Sequence, residues 1–200
     1  MAATIAVVLG HPDSGSLCGA IARAYVEGAR SGGATVREIN LDEMAFDPVL
    51  RHGYREVQPL EPDLVEAQEA IAWAEQVVFV YPNWWGSMPA LLKGFIDRVF
   101  LPGYAFKYRP NSQLWDRLLA GRRGRLLVTM DSPPWYYRWV VGQPGHQMMR
   151  GAILGFSGIK PVRTSVFGPV RRSSADVRAV WLRQARALGE RDAGRGGGAG

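Results

Sequence analysis

Five apolar runs alternating with helical segments predict an open, doubly wound α/β domain: a five-stranded parallel sheet in the order 2-1-3-4-5 with helices on both faces. Three observations carry this reading. The strand runs are apolar throughout, as a sheet buried on both faces requires. Strands and helices alternate along the chain, the βαβ arrangement that gives right-handed crossovers and a parallel sheet. The chain has 200 residues, 47 % hydrophobic and 21 % charged. That length buries roughly 70 % of the unfolded surface, and the composition is too apolar for disorder and too charged for a membrane bundle.

Thr4–Leu9 is the first strand, followed by a Gly-His-Pro-Asp-Ser-Gly loop and a helix from about Leu17 to Arg30 with Ile21, Tyr25 and Val26 inward. Gly32-Gly33 stops that helix, and Ala34–Ile39 is the second strand. Residues 40–62 are irregular and carry an apolar plug of Phe46, Val49 and Leu50. Asp63 is placed to cap a helix reaching about Glu75, with Leu64, Ala67, Ile71 and Ala74 at helical spacing. Val77–Tyr81 is the third strand, and Met88–Phe100 reads as a helix. The stretch 101–123 is too long for a simple connection and reads as an insertion near the same edge. Leu126–Thr129 and Val162–Val166 are the last strands, with helices at Gly145–Phe156 and Ser174–Leu188. A single domain over 1–189 is expected, and 190–200 reads as a glycine-rich disordered tail.

The net charge of +6 is unevenly spread: residues 1–97 hold 6 basic and 13 acidic side chains, 98–159 hold 9 and 2, and 160–200 hold 9 and 3. A basic half attracts nucleic acid or anionic ligands. The arginines are scattered singly apart from Arg122-Arg123 and Arg171-Arg172, with no recognition-helix or RNA-binding signature, which favours solvated arginines and an anionic cofactor over nucleic acid. Cys18 is the only cysteine, so an internal disulfide and a cysteine-rich zinc site are excluded. The histidines His11, His52 and His146 are far apart and fit no metal motif. Gly86-Ser87 runs into Met-Pro, so there is no nucleophile elbow. Ala2–Leu9 lacks the basic start of a secretory signal, no run reads as a membrane span, and the chain is expected to be cytoplasmic.

In sheets of this order ligands sit at the carboxyl ends of the strands beside the switch point between strands one and three. That nominates loops 10–17, 82–87 and 130–137. The first leads into a helix N-terminus with glycines and the hydroxyls of Ser14 and Ser16, a place for a phosphate, although an ordinary helix cap reads the same way. It lacks the Lys-Ser/Thr of a P-loop and the glycine spacing of a dinucleotide turn. The second carries Trp84 and Trp85, whose side chains point apart, so at least one is free to line a flat pocket unless both pack under the next helix. The third carries Trp135, Tyr136 and Tyr137 behind two prolines and suits a stacking wall. A phosphate cradle with aromatic walls and neither nucleophile nor metal points to a cofactor that brings its own chemistry.

The run from Phe79 to Gly103 (FVYPNWWGSMPALLKGFIDRVFLPG) resembles the signature of the flavodoxin-like quinone reductases. This is the family of NAD(P)H dehydrogenase (quinone) and of the ancillary reductases of bacterial potassium efflux systems. His11-Pro with Ser16, Phe46 to Leu50, Asp63 to Gln68 and Gly103 to Lys107 add to the match, which covers about 4–189. The resemblance implies a homodimeric flavoprotein, binding FAD or FMN, that takes hydride from NAD(P)H and passes two electrons to a quinone-like acceptor in ping-pong fashion. It implies that His11, Ser16, Leu17 and Cys18 hold the flavin phosphates and ribityl chain, with Gln68 near the phosphate or adenine. Pro82, Asn83, Trp84, Trp85 and Gly86 would face one side of the ring, and Thr129, Met130, Asp131 and Ser132 the other. Tyr137 would hydrogen-bond flavin or substrate, with His146 as its partner in proton transfer. Trp135, Tyr104 and Phe106 would contact substrate, the last two across a dimer interface.

Three departures stand out. Cys18 replaces an asparagine of many relatives. Met130 to Pro134 replaces a Thr-Gly-Gly-type stretch and sets Asp131 near the ring, where its charge opposes a reduced anionic flavin unless it points away or pairs with Arg138. His146 lies nine residues after Tyr137, out of the family register. The competing classes are a non-enzymatic flavin-binding regulatory or partner-docking module and, more weakly, a nucleic-acid binder.

Overall fold

The computed structural model describes residues 2–194. Five parallel strands, β1 (Thr4–Leu9), β2 (Thr35–Asn40), β3 (Gln76–Pro82), β6 (Arg123–Thr129) and β7 (Val162–Phe167), lie in the order β2-β1-β3-β6-β7. The short antiparallel pair β4 (Phe106–Tyr108) and β5 (Trp115–Arg117) occupies the predicted insertion. With that pair set aside, the order is the doubly wound one expected.

Alternation along each buried strand splits the core between the two faces. Ile5, Val7, Leu9, Val78, Val80 and Leu127 pack beneath α1 (Leu17–Ser31) and α6 (Ala175–Ala193). Ala6, Val8, Phe79, Tyr81, Leu126 and Val128 pack against α2 (Pro62–Trp73), α3 (Ala90–Val99) and the helical stretch 144–155. The helices α1 and α6 lie so close that a Cβ on Gly28 would fall 2.0 Å from the carbonyl oxygen of Arg186. A larger residue there would wedge them apart.

Several local expectations are corrected. Glu61, not Asp63, stands at the N-cap of α2 and makes no side-chain cap; Asp63 instead accepts from Ala45 N at 2.6 Å. The third helix begins at Ala90, because Met88 precedes Pro89 and is pushed towards extended backbone. Val49 is exposed, whereas Phe46 meets Phe95 edge-on at 6.3 Å as a plug should. A short helix α4 (Pro134–Trp139) forms where only a loop was expected. The helix predicted over 145–156 is α5 (Pro144–Gln147) continued by a wider π-helical stretch, Met148–Gly155. Helix α6, capped by Ser174 Oγ, runs through Ala193, so Glu190 to Ala193 are not tail; residues 195–200 of that segment lie outside the described residues. No described helix is long and apolar enough to cross a membrane.

Candidate functional site

At the carboxyl ends of β1, β3 and β6 lies a cleft of about 250 Å³. His11, Ser16, Leu17 and Cys18 line it from the first loop, Pro82, Asn83 and Trp84 from the second, Thr129, Met130 and Asp131 from the third, and Val170 from the loop after β7. Eight residues of the three nominated loops, with Cys18 and Thr129 directly beside them, thus converge on one place. Val170 was missed because it follows the fifth strand, at the sheet edge away from the switch point, and is tied to the site by its bond to Met130.

The first wall is the N-terminus of α1. Ser16 Oγ accepts from Gly19 N at 3.3 Å and Ser16 O from Ala20 N at 3.0 Å. Of the first-turn donors this leaves the amides of Leu17 and Cys18 without an acceptor among the described residues, at the positive end of the helix dipole. The approach loop is fixed by Ser14 N donating to Asp42 Oδ2 at 2.7 Å and Gly15 N to Asp13 Oδ1 at 2.8 Å. Cys18 Sγ lies 3.2 Å from Thr129 Oγ1. Burial pushes its thiol up to about 11 against that hydrogen bond, so it stays protonated at neutral pH and is a poor nucleophile.

The second wall is a tight turn. Trp84 N donates to Ser87 O and Ser87 N to Trp84 O, both at 2.9 Å, and the central residues Trp85 and Gly86 have φ of 53° and 77°. Both central residues thus have the positive φ of a two-residue hairpin loop. Trp84 is 45 % exposed and meets the His11 ring edge-on at 5.5 Å. Trp85, at 104 %, projects wholly into solvent, so the alternative that both tryptophans pack under the next helix fails. Trp85 and Gly86 do not line the cleft; the Gly86 carbonyl turns the other way and accepts from Tyr137 Oη at 2.9 Å and Gly145 N at 3.0 Å.

In the third wall Asp131 Oδ1 accepts from Arg171 N at 2.7 Å, while the guanidinium of Arg138 sits over the Trp139 ring at 4.7 Å. The pairing considered for Asp131 is therefore made by a main-chain N–H rather than by Arg138. Val170 N reaches Met130 O at 3.0 Å, which carries the fifth-strand loop into the site. Ser132 lies just outside the lining.

The remaining expected residues lie elsewhere within this chain. Gln68 is on α2 and donates to Val99 O at 2.9 Å, and Tyr104 donates to Gln68 O at 2.7 Å. Their polar groups are engaged by backbone at the C-terminal end of α3 and on α2. Phe106 is buried and packs edge-on against Phe156 at 5.0 Å, as core. Trp135 is exposed on α4 and meets Tyr136 edge-on, apart from the cleft lining. Tyr137 and His146 do come together, ring centroids 5.0 Å apart at 78°, but both are buried and neither lines the cleft. Burial, helped by Arg150, pushes His146 down to about 4. Tyr137 is raised by burial against the amides of Gly145 and His146.

A family model described as a flavodoxin-like fold matches residues 3–189. The chain belongs to this family. It is 28 % identical over 171 residues to a protein of Haemophilus influenzae called an NAD(P)H oxidoreductase, covering 82 % of this chain and 83 % of that one. It is 30 % identical over 123 residues to NAD(P)H dehydrogenase [quinone] 1 of Rattus norvegicus, covering 51 % of this chain and 44 % of the rat protein. Among solved structures, an NAD(P)H:quinone oxidoreductase from Methanothermobacter marburgensis superposes with a TM-score of 0.78 at 25 % identity, over 93 % of this chain and 96 % of that one.

The Trp85 conformation yields a prediction. A non-glycine residue in the left-handed region costs about 1–2 kcal/mol, and this side chain has no packing to lose. Trp85→Gly is expected to raise unfolding stability by about 1 kcal/mol, while Trp85→Ala leaves it within about 0.5 kcal/mol. Urea unfolding of the three proteins side by side checks both.

Proposed function

We propose that this single-domain protein is a cytoplasmic, flavin-dependent NAD(P)H oxidoreductase that reduces a quinone or related flat aromatic acceptor. The observation that carries the reading is the convergence on one cleft of free α1 amides, the Trp84 wall and three strand ends at the switch point. The residues present fit a flavin mononucleotide or its dinucleotide. The Leu17 and Cys18 amides and the α1 dipole suit a phosphate, and Ser16 fixes that turn by its cap. Trp84 offers a planar face to a planar ring. Asp131 Oδ1 accepts from Arg171 N, which sets a main-chain N–H dipole against that oxygen. When bound, a flavin supplies a ring that takes hydride from a nicotinamide and passes two electrons to the acceptor. Around that ring the chain supplies orientation, from Pro82, Asn83 and Trp84 on one side and Thr129, Met130 and Asp131 on the other. His11 Nδ1, in the same cleft, accepts from Asp13 N at 3.0 Å.

Trp85 on the turn, and Trp135, Trp139, Val140 and Val141 in and just after α4, each leave apolar surface exposed. Such a surface supports a homodimer with the acceptor pocket completed at the interface.

Reconstitution tests this reading. The purified protein should take up FAD or FMN with a yellow absorbance, be bleached anaerobically by NADH or NADPH, and regain colour with menadione. Chromatography of the extracted flavin separates FAD from FMN. Protein that takes up neither flavin would sink the proposal, and flavin uptake without reduction by either nicotinamide would favour the docking module.

A further inference from the structure

The two side walls of the cleft come from different loops, and one side chain ties them together. Tyr137 lies in α4, immediately after the wall of Met130 and Asp131, and is 2 % exposed. Its hydroxyl donates to Gly86 O, in the opposite wall, at 2.9 Å and accepts from Gly145 N at 3.1 Å. Gly145 N also reaches Gly86 O at 3.0 Å. These groups close a triangle joining the Trp84–Ser87 turn, α4 and the start of α5. Only glycine leaves room for it: a Cβ on residue 145 would lie 2.6 Å from Gly86 O and 3.1 Å from the Tyr137 hydroxyl.

That geometry is at odds with a tyrosine–histidine proton relay. The Tyr137 proton is spent on a backbone carbonyl, and His146 offers the tyrosine a ring edge rather than a hydrogen bond. His146 Nε2 is buried without a partner among the described residues. The turn itself needs a restraint, since its left-handed Trp85 persists only where the surroundings over-determine it, and the solvent-directed indole provides none. We infer that Tyr137 is a positioning residue, a crossbar that holds the Trp84–Ser87 turn against α4 and so sets the width of the cleft, passing no proton. This inference rests on the flavin reading of the cleft for its effect on binding, but not for the crossbar itself.

Two variants separate the crossbar from a relay: Tyr137→Phe removes the hydroxyl, and Gly145→Ala keeps it while wedging α5 from the turn. Their thermal midpoints are measured first to confirm folding. Both should speed hydrogen exchange at the Trp84 and Ser87 amides. Tyr137→Phe should raise the flavin Kd about three- to tenfold, the worth of one net hydrogen bond. The rise in Kd should exceed any fall in kcat, and the pH profile of turnover should keep its shape in both variants. The inference is overturned if exchange in the turn is unchanged, or if Tyr137→Phe loses a limb of the pH profile that Gly145→Ala retains. If the wild-type protein binds no flavin, the cofactor reading fails, while exchange in the cofactor-free chain still decides the crossbar.

Discussion

Asp192→Asn is expected to destabilise the protein by about 3–5 kcal/mol, because it leaves a buried guanidinium without its counter-charge. Asp192 and Arg125 are 1 % and 3 % exposed. Arg125 Nη2 donates to Asp192 Oδ1 at 2.7 Å, and its Nε donates to Oδ2. Oδ2 also accepts from Tyr25 Oη at 2.8 Å and Gln76 Nε2 at 2.6 Å. The cluster ties the last turn of α6 to α1, β3 and β6, at the end of the sheet opposite the cleft. For a chain of this size the loss corresponds to a drop of roughly 6–20 °C in Tm. Tyr25→Phe, which removes one neutral donor, should cost only about 1 kcal/mol.

The pH dependence of this pair has a definite sign. Burial pushes the Asp192 carboxyl up, but the hydrogen bonds and charge of Arg125, with Tyr25 and Gln76, outweigh it and hold the group below its ordinary 3.8. A carboxyl depressed on folding stabilises above its unfolded pKa and loses that stability as pH falls through the folded one. Wild-type stability should therefore fall below about pH 4 more steeply than that of Asp192→Asn, which lacks the group. Urea midpoints at pH 7 and pH 3 measure the difference.

This anchor marks where sequence reading ends. The strands were legible because burial on both faces forces unbroken apolar runs, and the cleft was legible because topology alone selects the carboxyl ends beside the switch point. Glu190 to Ala193 looked like tail because the glycines that follow dominate local composition. What makes Asp192 structural is a partner 67 residues away, which no local pattern encodes. The place of the Tyr137 hydroxyl was hidden for a related reason. An aromatic cluster behind two prolines announces a wall, but the direction of one hydroxyl depends on a carbonyl in another loop. Gln68 and Phe106 were nominated by resemblance alone, and within this chain their neighbours are α3 and the residue that ends the π-helical stretch.

Arg98→Met should cost about 2–4 kcal/mol and open the 42–61 excursion to proteolysis. Arg98 is 0 % exposed on α3. It donates through Nη1 to Asp47 O at 2.5 Å and through Nη2 to Pro59 O at 2.8 Å and Glu61 Oε2 at 2.8 Å. One guanidinium thus grips both ends of a segment whose middle exposes Tyr54 and Val57. Methionine fills much of the volume but takes the donor from the carbonyls of half-buried Asp47 and exposed Pro59, each costing at most about 1–3 kcal/mol, the value for a buried unsatisfied group. Glu61 adds less than a buried carboxylate would, since its side chain is 30 % exposed and water can replace the arginine. The cost should therefore fall below that of a fully buried pair. Trypsin should nick after the exposed Arg51 and Arg55 several times faster in the variant, with the rest of the sheet protected. Equal cleavage rates would show that the excursion is held by its own Asp47–Arg51 and Gln58 contacts rather than by Arg98.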